Sequence, residues 1–523
     1  MRFRGKFRIP FDRRTLLVTL TLCLCLPIAA NTGPVPTPSP ETRKLIKKAT
    51  NLMRSGLNAE AEALLRKAVE RDPQSVEAKT ELAFALVKER QLRAGYEICF
   101  AAAQKDPKNA RTLSVLGATL LSAGRFPEAR SFFNASLAYD RRQDLAWAGL
   151  GMLDFYENKI ASSLANLENA VYWNSEEPDY LFGYAQVASR SEHYKEAAAA
   201  YERFLAVSKS TDTDRRERIK GLIQFLTYLG NRSGIYVMGG ADQTSVPFEL
   251  EGNRPVITLR VNGNTEPLRF VLDTGSGISV LSEETAKKLK IKPVARGGYG
   301  RGLGGDGKFE IVYAHLRSMQ IGDVEMRSVP VYVRRFHDPG SRIDGYIGLA
   351  LISKFLTTID YGNQTFSLTR RATDRANFLS SNEISIPLRL TSSGFLSGEV
   401  QIQGIETPLS FIVDTGATVS VISDVVSKTE GISRYINNNE TLRVIGSAGI
   451  TDDMPTFLLP KISFGDHSIE SVKAVALNLD TINEASGFEQ AGILGGNFLK
   501  NYRLTFDFKN SKVTFVSVNP PKE

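Results

Sequence analysis

The 523-residue sequence predicts a multidomain chain with an all-α solenoid in its first half and an all-β unit, present twice, in its second. Three observations predict it. Small residues recur every 34 positions between residues 42 and 210; alternating apolar residues and Gly-rich turns take over after about residue 240; and two stretches of that second half can be laid on each other in order. The length calls for more than one domain, and the composition, 42% hydrophobic and 23% charged, is that of an ordinary globular chain.

The amino terminus is read first, because it changes the meaning of the net charge. Residues 1–14 hold Arg2, Arg4, Lys6, Arg8, Arg13 and Arg14 against Asp12, so the formal charge of +8 falls to +3 without them, and charge gives a nucleic-acid partner little support. An apolar run over residues 15–26 and then Pro27-Ile-Ala-Ala30 follow, the order of a secretory signal peptide over residues 1–30, cut near Ala30. This predicts export to a periplasmic or extracellular location, in a bacterium. About 12 apolar positions fall short of the roughly 20 that cross a bilayer, and no later run is long enough, so no membrane span is expected in the mature chain. Cys23 and Cys25 leave with the signal, and Cys99 alone cannot form an internal disulfide. Residues 31–41 are Pro-rich and read as an extended spacer.

In the helical half, one series of small residues runs Ala49, Ala83, Gly117, Gly151, Ala185 and a second runs Ala61, Gly95, Ala129, Ser163, Ala197. Four positions after the second series stand larger apolar residues, Leu65, Cys99, Phe133, Leu167 and Tyr201, while Pro73 and Pro107 end two units. A 34-residue period with small residues in both helices of a pair resembles the tetratricopeptide repeat, in five copies over residues 42–210. Residues 211–231 are expected to form a capping helix with a polar outer face. The resemblance implies a concave groove that binds a protein or peptide partner and carries no chemistry. Cys99 falls on a core position, which predicts a buried, structural thiol.

In the β half, Ser245-Val-Pro-Phe-Glu-Leu250 matches Ser385-Ile-Pro-Leu-Arg-Leu390, and Phe270-Val-Leu-Asp-Thr-Gly-Ser276 matches Phe411-Ile-Val-Asp-Thr-Gly-Ala417. Gly345-Tyr-Ile-Gly348 matches Gly492-Ile-Leu-Gly495, and Thr358-Ile-Asp-Tyr361 matches Thr505-Phe-Asp-Phe508. The offsets are 140, 141, 147 and 147, so the order is kept and only loops differ. The copies are placed at residues 245–370 and 385–517, with a linker at 371–384.

A strand leading into Asp-Thr-Gly, a glycine-rich flap and then apolar-apolar-Gly, in each copy, resembles the aspartic peptidases and in particular the retropepsin-like group. The resemblance implies two lobes about a pseudo-twofold axis, with Asp273 and Asp414 as a catalytic pair. The chemistry needs both, since one carboxylate deprotonates the attacking water while a protonated partner polarises the carbonyl. Thr274 and Thr415 are expected to hydrogen-bond across the lobes, and Gly275 and Gly416 to let amides approach the carboxylates. Ser276 is expected to donate to Asp273 where Ala417 cannot, leaving Asp273 ionised and Asp414 protonated. Flaps are expected at residues 297–307 and 444–449, with Gly302, Leu303, Gly304 and Gly305 facing Ile445, Gly446, Ser447, Ala448 and Gly449 over the substrate. Two such flaps resemble the paired retropepsins.

Residues 302–307 lack the Lys-Ser/Thr ending of a phosphate-binding loop, and His193, His315, His337 and His467 lack metal-ligand spacing, so neither cofactor nor metal is expected. The function expected is an exported aspartic endopeptidase with a peptide or protein substrate in the bilobal cleft and a partner on the helical groove. The alternative is a non-catalytic peptide- or protein-binding scaffold of the same fold.

Overall fold

The computed structural model describes residues 37–209, 213–338, 340, 342–370 and 385–519. The signal-like segment 1–30 and the linker 371–384 lie outside the described residues.

Among the described residues, ten helices, from Pro40–Arg54 to Tyr194–Val207, form five consecutive pairs. The first begins at Pro40, inside the stretch expected to be spacer, with the Ser39 hydroxyl capping the Thr42 amide. The small residues of the repeat have a steric cause. A Cβ on Gly117 or Gly149 would overlap the Phe133 ring, and one on Gly151 would overlap Leu167, so the first helix of a pair gives way to the large residue of the second. Those large residues, Leu65, Cys99, Phe133, Leu167 and Tyr201, are all buried. The Cys99 thiol donates to the Thr112 carbonyl at 3.3 Å, and burial pushes it well above the ordinary thiol range.

The helix Thr213–Gly230 keeps an exposed polar stripe, with Glu217, Lys220, Gln224 and Thr227 turned outward. A further face lies on the strand Pro293–Arg301 of the β half, so closely that a Cβ on Gly221 would overlap the Arg296 carbonyl. Phe225 stacks on Tyr313 at 4.6 Å between ring centroids, and both are buried. A helix that must end an array and also meet a second domain is apolar on both sides, which the amphipathic reading could not register.

The described residues of the β half form three sheets. One belongs to each copy, and the first is extended at its edge by Val237–Gly240, which pairs with Val324–Arg334 ahead of the predicted start at residue 245. A third sheet of six strands joins the copies, and in it Phe355–Asp360 pairs antiparallel with its own counterpart, Tyr502–Asp507. Thr358 sits opposite Thr505 with the hydroxyls 3.1 Å apart, so equivalent residues meet on the axis. Gln243–Pro247 and Ser385–Pro387, also equivalent, take the two edges. The lobes therefore close on each other within one chain.

The helical array is seated on this bilobal unit by the turns between the helices of its last four pairs. Arg90 donates to the Asn483 carbonyl (3.3 Å), the Glu489 amide to Ser122 (2.8 Å), Asn158 to Phe508 (3.0 Å) and Arg190 to Thr391 (2.8 Å), while Glu192 pairs with Lys354. Phe488, from the second lobe, is fully buried in the apolar core of the array, edge-on to Phe126 at 5.0 Å and tilted against Tyr156 at 5.1 Å. It follows a short helix, Asp480–Ser486, ended by Gly487 at φ +86°, where a Cβ would be strained and would overlap the Tyr156 hydroxyl. No helix among the described residues is long and apolar enough to cross a membrane.

Candidate active site

Each Asp-Thr-Gly follows a short apolar strand, Leu268–Leu272 or Leu409–Val413, buried at its carboxyl end. The apolar-apolar-Gly strand runs parallel beside it, so that the Asp273 amide donates to Ile347 and the Asp414 amide to Leu494, both at 3.0 Å. A Cβ on Gly345 would overlap the Phe270 ring and one on Gly492 the Phe411 ring. Glycine is thus required at the same point of each copy to bring the loop behind the aspartate into contact.

The two loops are locked by reciprocal hydrogen bonds. The Thr274 amide donates to Thr415 Oγ1 (3.2 Å) and the Thr415 amide to Thr274 Oγ1 (3.0 Å). The Thr274 hydroxyl donates to the Val413 carbonyl and the Thr415 hydroxyl to the Leu272 carbonyl, both at 2.7 Å. Both threonines are fully buried, so each broken bond would leave an unpaired group in the interior.

This lock sets the half-buried carboxyls of Asp273 and Asp414 against each other, within reach of a shared proton. The glycines have two roles. The Gly275 amide donates to Asp273 Oδ1 (2.9 Å) and the Gly416 amide to Asp414 Oδ1 (2.8 Å). Each glycine also lies against the carboxyl of the opposite lobe, where a Cβ would overlap Asp414 or Asp273 respectively.

The hydrogen bond expected from Ser276 to Asp273 does not form. The Ser276 hydroxyl donates to the Ile278 carbonyl at 2.8 Å, not to Asp273. Burial raises the pKa of both acids. For Asp414 that rise is opposed by the Gly416, Ala417 and Gly275 amides and by the hydrogen bond from Asp273. Asp273 is raised well above the carboxylate range by burial and by the Asp414 charge, opposed by the Arg334 charge and a single amide, that of Gly275. The two acids therefore share a proton and titrate as a pair, with Asp273 the more strongly raised. A serine so close in sequence to its aspartate suggested a bond that the turn's own carbonyl has taken.

The flap residues come together. Pro293–Arg301 and Lys308–Ile321 form one hairpin, Ile436–Ile445 and Ile450–Phe464 the other. Residues 297–301, expected in the first flap, belong to its strand, and only 302–307 form the turn. The two tips are bonded to each other, with the Gly305 amide donating to the Ile450 carbonyl (3.2 Å) and the Ala448 amide to Leu303 (2.8 Å). Gly302 is so close to Ser447 that a Cβ there would overlap its hydroxyl. Leu303 packs into an apolar cluster of the second lobe that Ala417 also joins.

Two contributors escaped the sequence reading. Phe488 ties the site's second lobe to the array, and its only signal was the longer loop that moved the offset from 141 to 147. Arg334, at the end of Val324–Arg334, is close enough to Asp273 for the charges to interact.

The Aspartyl protease family model matches residues 257–351 and 398–498, and the Tetratricopeptide repeat model matches residues 46–94. No curated protein matches the chain. Among solved structures, an aspartic proteinase from Irpex lacteus is similar at 16% identity and a TM-score of 0.36, over 53% of this chain and 98% of its own. Pseudomonas aeruginosa pilF is similar at 21% identity and a TM-score of 0.28, over 36% of this chain and 84% of its own. TTC0263, a thermophilic TPR protein in Thermus thermophilus, is similar at 19% identity and a TM-score of 0.31, over 35% of this chain and 98% of its own. The chain thus carries a tetratricopeptide-repeat region followed by two tandem aspartyl-protease-like segments.

Proposed function

We propose that the protein is an aspartic endopeptidase whose single chain supplies both carboxyls, Asp273 and Asp414. The observation that carries this is the half-buried, facing pair, one acid from each lobe, on a floor of reciprocal threonine bonds. Asp414, as carboxylate, takes a proton from a water between the acids, and that water attacks the scissile carbonyl carbon. Asp273 donates its proton to the carbonyl oxygen, giving a tetrahedral diol; Asp414 then passes the proton it took to the amide nitrogen while Asp273 recovers one from a diol hydroxyl, and the C–N bond breaks to leave a carboxylic acid and an amine. The two flap tips, closed on each other, are the lid, and their pairing supports the retropepsin-like subtype.

Export rests on the signal pattern of residues 1–30 and puts the enzyme in the periplasm or outside the cell. The array uses its turn edge for its own lobes. A cleft of about 540 Å3 lined by Phe84, Lys88, Arg111, Asp144, Asn174 and Tyr180 offers a protein or peptide partner the docking groove.

Turnover of a mixed peptide library over a range of pH tests the proposal. Asp273→Asn and Asp414→Asn are each expected to lower cleavage by at least ~10²–10⁴-fold. Cleavage that persists in both variants moves the site elsewhere; a parent that never cleaves and ignores pepstatin-like compounds leaves the scaffold reading.

A further inference from the structure

The lobes are nearly superposable around the dyad, so a position where they differ in charge stands out. Ser282 and Ser423 are equivalent, and each caps the helix after it. In the parallel strand beside them, Ser282 is paired with Arg334 and Ser423 with Leu477. The same register position therefore holds a guanidinium in the first lobe and a leucine in the second.

The surroundings differ in the same sense. Leu477 and Ile493 are buried with Leu479 and Ile482 in an apolar cluster. In the first lobe the counterpart of Ile493 is Tyr346, which lies edge-on to Phe336 at 5.1 Å. The Arg334 guanidinium stands over Phe309, on the first flap hairpin, at 5.2 Å and over Phe336 at 5.9 Å. It is thus held between flap and floor, on the Asp273 side of the cleft.

Among the described residues Arg334 has no ion pair, and its buried Nε has no hydrogen-bond partner. The half-buried guanidinium has Asp273 as a nearby charge but no direct ion pair, and the cost of burial lowers its pKa. The fold does not require it, since the same frame takes Leu477 at the equivalent position. Ring faces offset part of the cost but leave the in-plane N–H donors unused, in the fork geometry that matches a carboxylate.

We propose that Arg334 is a specificity-determining residue that receives a substrate carboxylate on the first-lobe side of the cleft, opposite an apolar subsite formed around Leu477, Ile482 and Ile493. This deepens the peptidase reading and rests on it for the location of the substrate. The carboxylate is either an internal Glu or Asp side chain or a free peptide C-terminus, and both are acceptors of the same planar shape.

The test uses the full mature chain and paired peptides. One set is blocked at both ends and carries Glu or Gln at each position near the scissile bond; the other ends in a free carboxylate or an amide. Binding is read by fluorescence anisotropy in the Asp414→Asn background and turnover in the parent. At one position the acidic member is expected to be favoured by roughly tenfold or more, and in Arg334→Leu that ratio is expected to fall to about one, with Arg334→Lys between. The set in which discrimination appears identifies the source of the carboxylate. A Glu/Gln and carboxylate/amide ratio near one throughout, in binding and turnover, overturns the inference without any variant, as does a ratio that survives in Arg334→Leu. Discrimination in binding without turnover in the parent would sustain the carboxylate site and refute the peptidase reading.

Discussion

In the first lobe the flap strand Pro293–Arg301 is covered by the helix Thr213–Gly230, whereas the equivalent strand Ile436–Ile445 of the second lobe has no buried residue along its length. The second lobe is anchored elsewhere, through Phe488 and the loop before it, which enter the array's core. Around the dyad the two are alike to within a hydrogen bond: the same amide-to-carbonyl bonds behind each aspartate, the same threonine lock, the same ring against the same glycine. Duplication has kept what the chemistry needs in both copies. The surfaces turned away from the axis have been free to diverge, one toward the terminal helix, the other toward the array's interior. The second flap, with fewer buried contacts, is the one expected to open first.

The largest effect should come from removing the second lobe's anchor. Phe488→Ala is expected to cost about 3–5 kcal/mol, as for other fully buried rings, and to split thermal unfolding into separate transitions for array and lobes. An unchanged single transition would show that Phe488 does not couple them. In the first lobe, Phe225→Ala removes a stacked pair worth about 0.5–1.5 kcal/mol beyond its buried area and should speed hydrogen exchange in residues 293–301 by up to about tenfold. Residues 436–445 should not respond, and equal acceleration in both strands would abolish the asymmetry.

The dyad's asymmetry gives a smaller, pH-dependent effect. A carboxyl raised by burial stabilises the fold below its unfolded pKa, and that contribution is lost as pH rises through the folded value. The melting temperature of Asp273→Asn should therefore gain on the parent between about pH 4, the ordinary carboxylate value, and neutrality. Asp414→Asn should gain less, because Asp414 is raised less than Asp273. Smallest is Ser276→Ala, whose lost bond is to Ile278, so the acid limb of the pH–rate profile should stay where it is. A shifted limb would restore a direct role for that hydroxyl.

Much of this frame was legible in the sequence because it is periodic. Helix pairs follow from Gly117 and Gly151 standing 34 apart, and the equivalence of Thr358 and Thr505, which meet in the sheet, follows from the order kept in the two copies. What escaped depends on contacts between units that no period encodes. The helix 213–230 has apolar residues for two neighbours, Ile219 and Leu226 toward the array and Phe225 and Leu229 toward the β half, and only the fold shows that the second of these faces meets a strand at Gly221. Arg334 could have been found by aligning the copies onward from Ser282 and Ser423, but loops of unequal length hid the register. The hydroxyl of Ser276 misled because proximity in sequence does not choose among acceptors.

Mixing the two inactive variants tests the central claim most directly. Asp273→Asn and Asp414→Asn, purified separately and combined in equal amounts, each keep one intact acid, and the account, in which both acids of a working site come from one chain, predicts no recovery of peptide cleavage. Appearance of activity in the mixture, rising with concentration as chains exchange partners, would show that the working pair forms between chains and would contradict it.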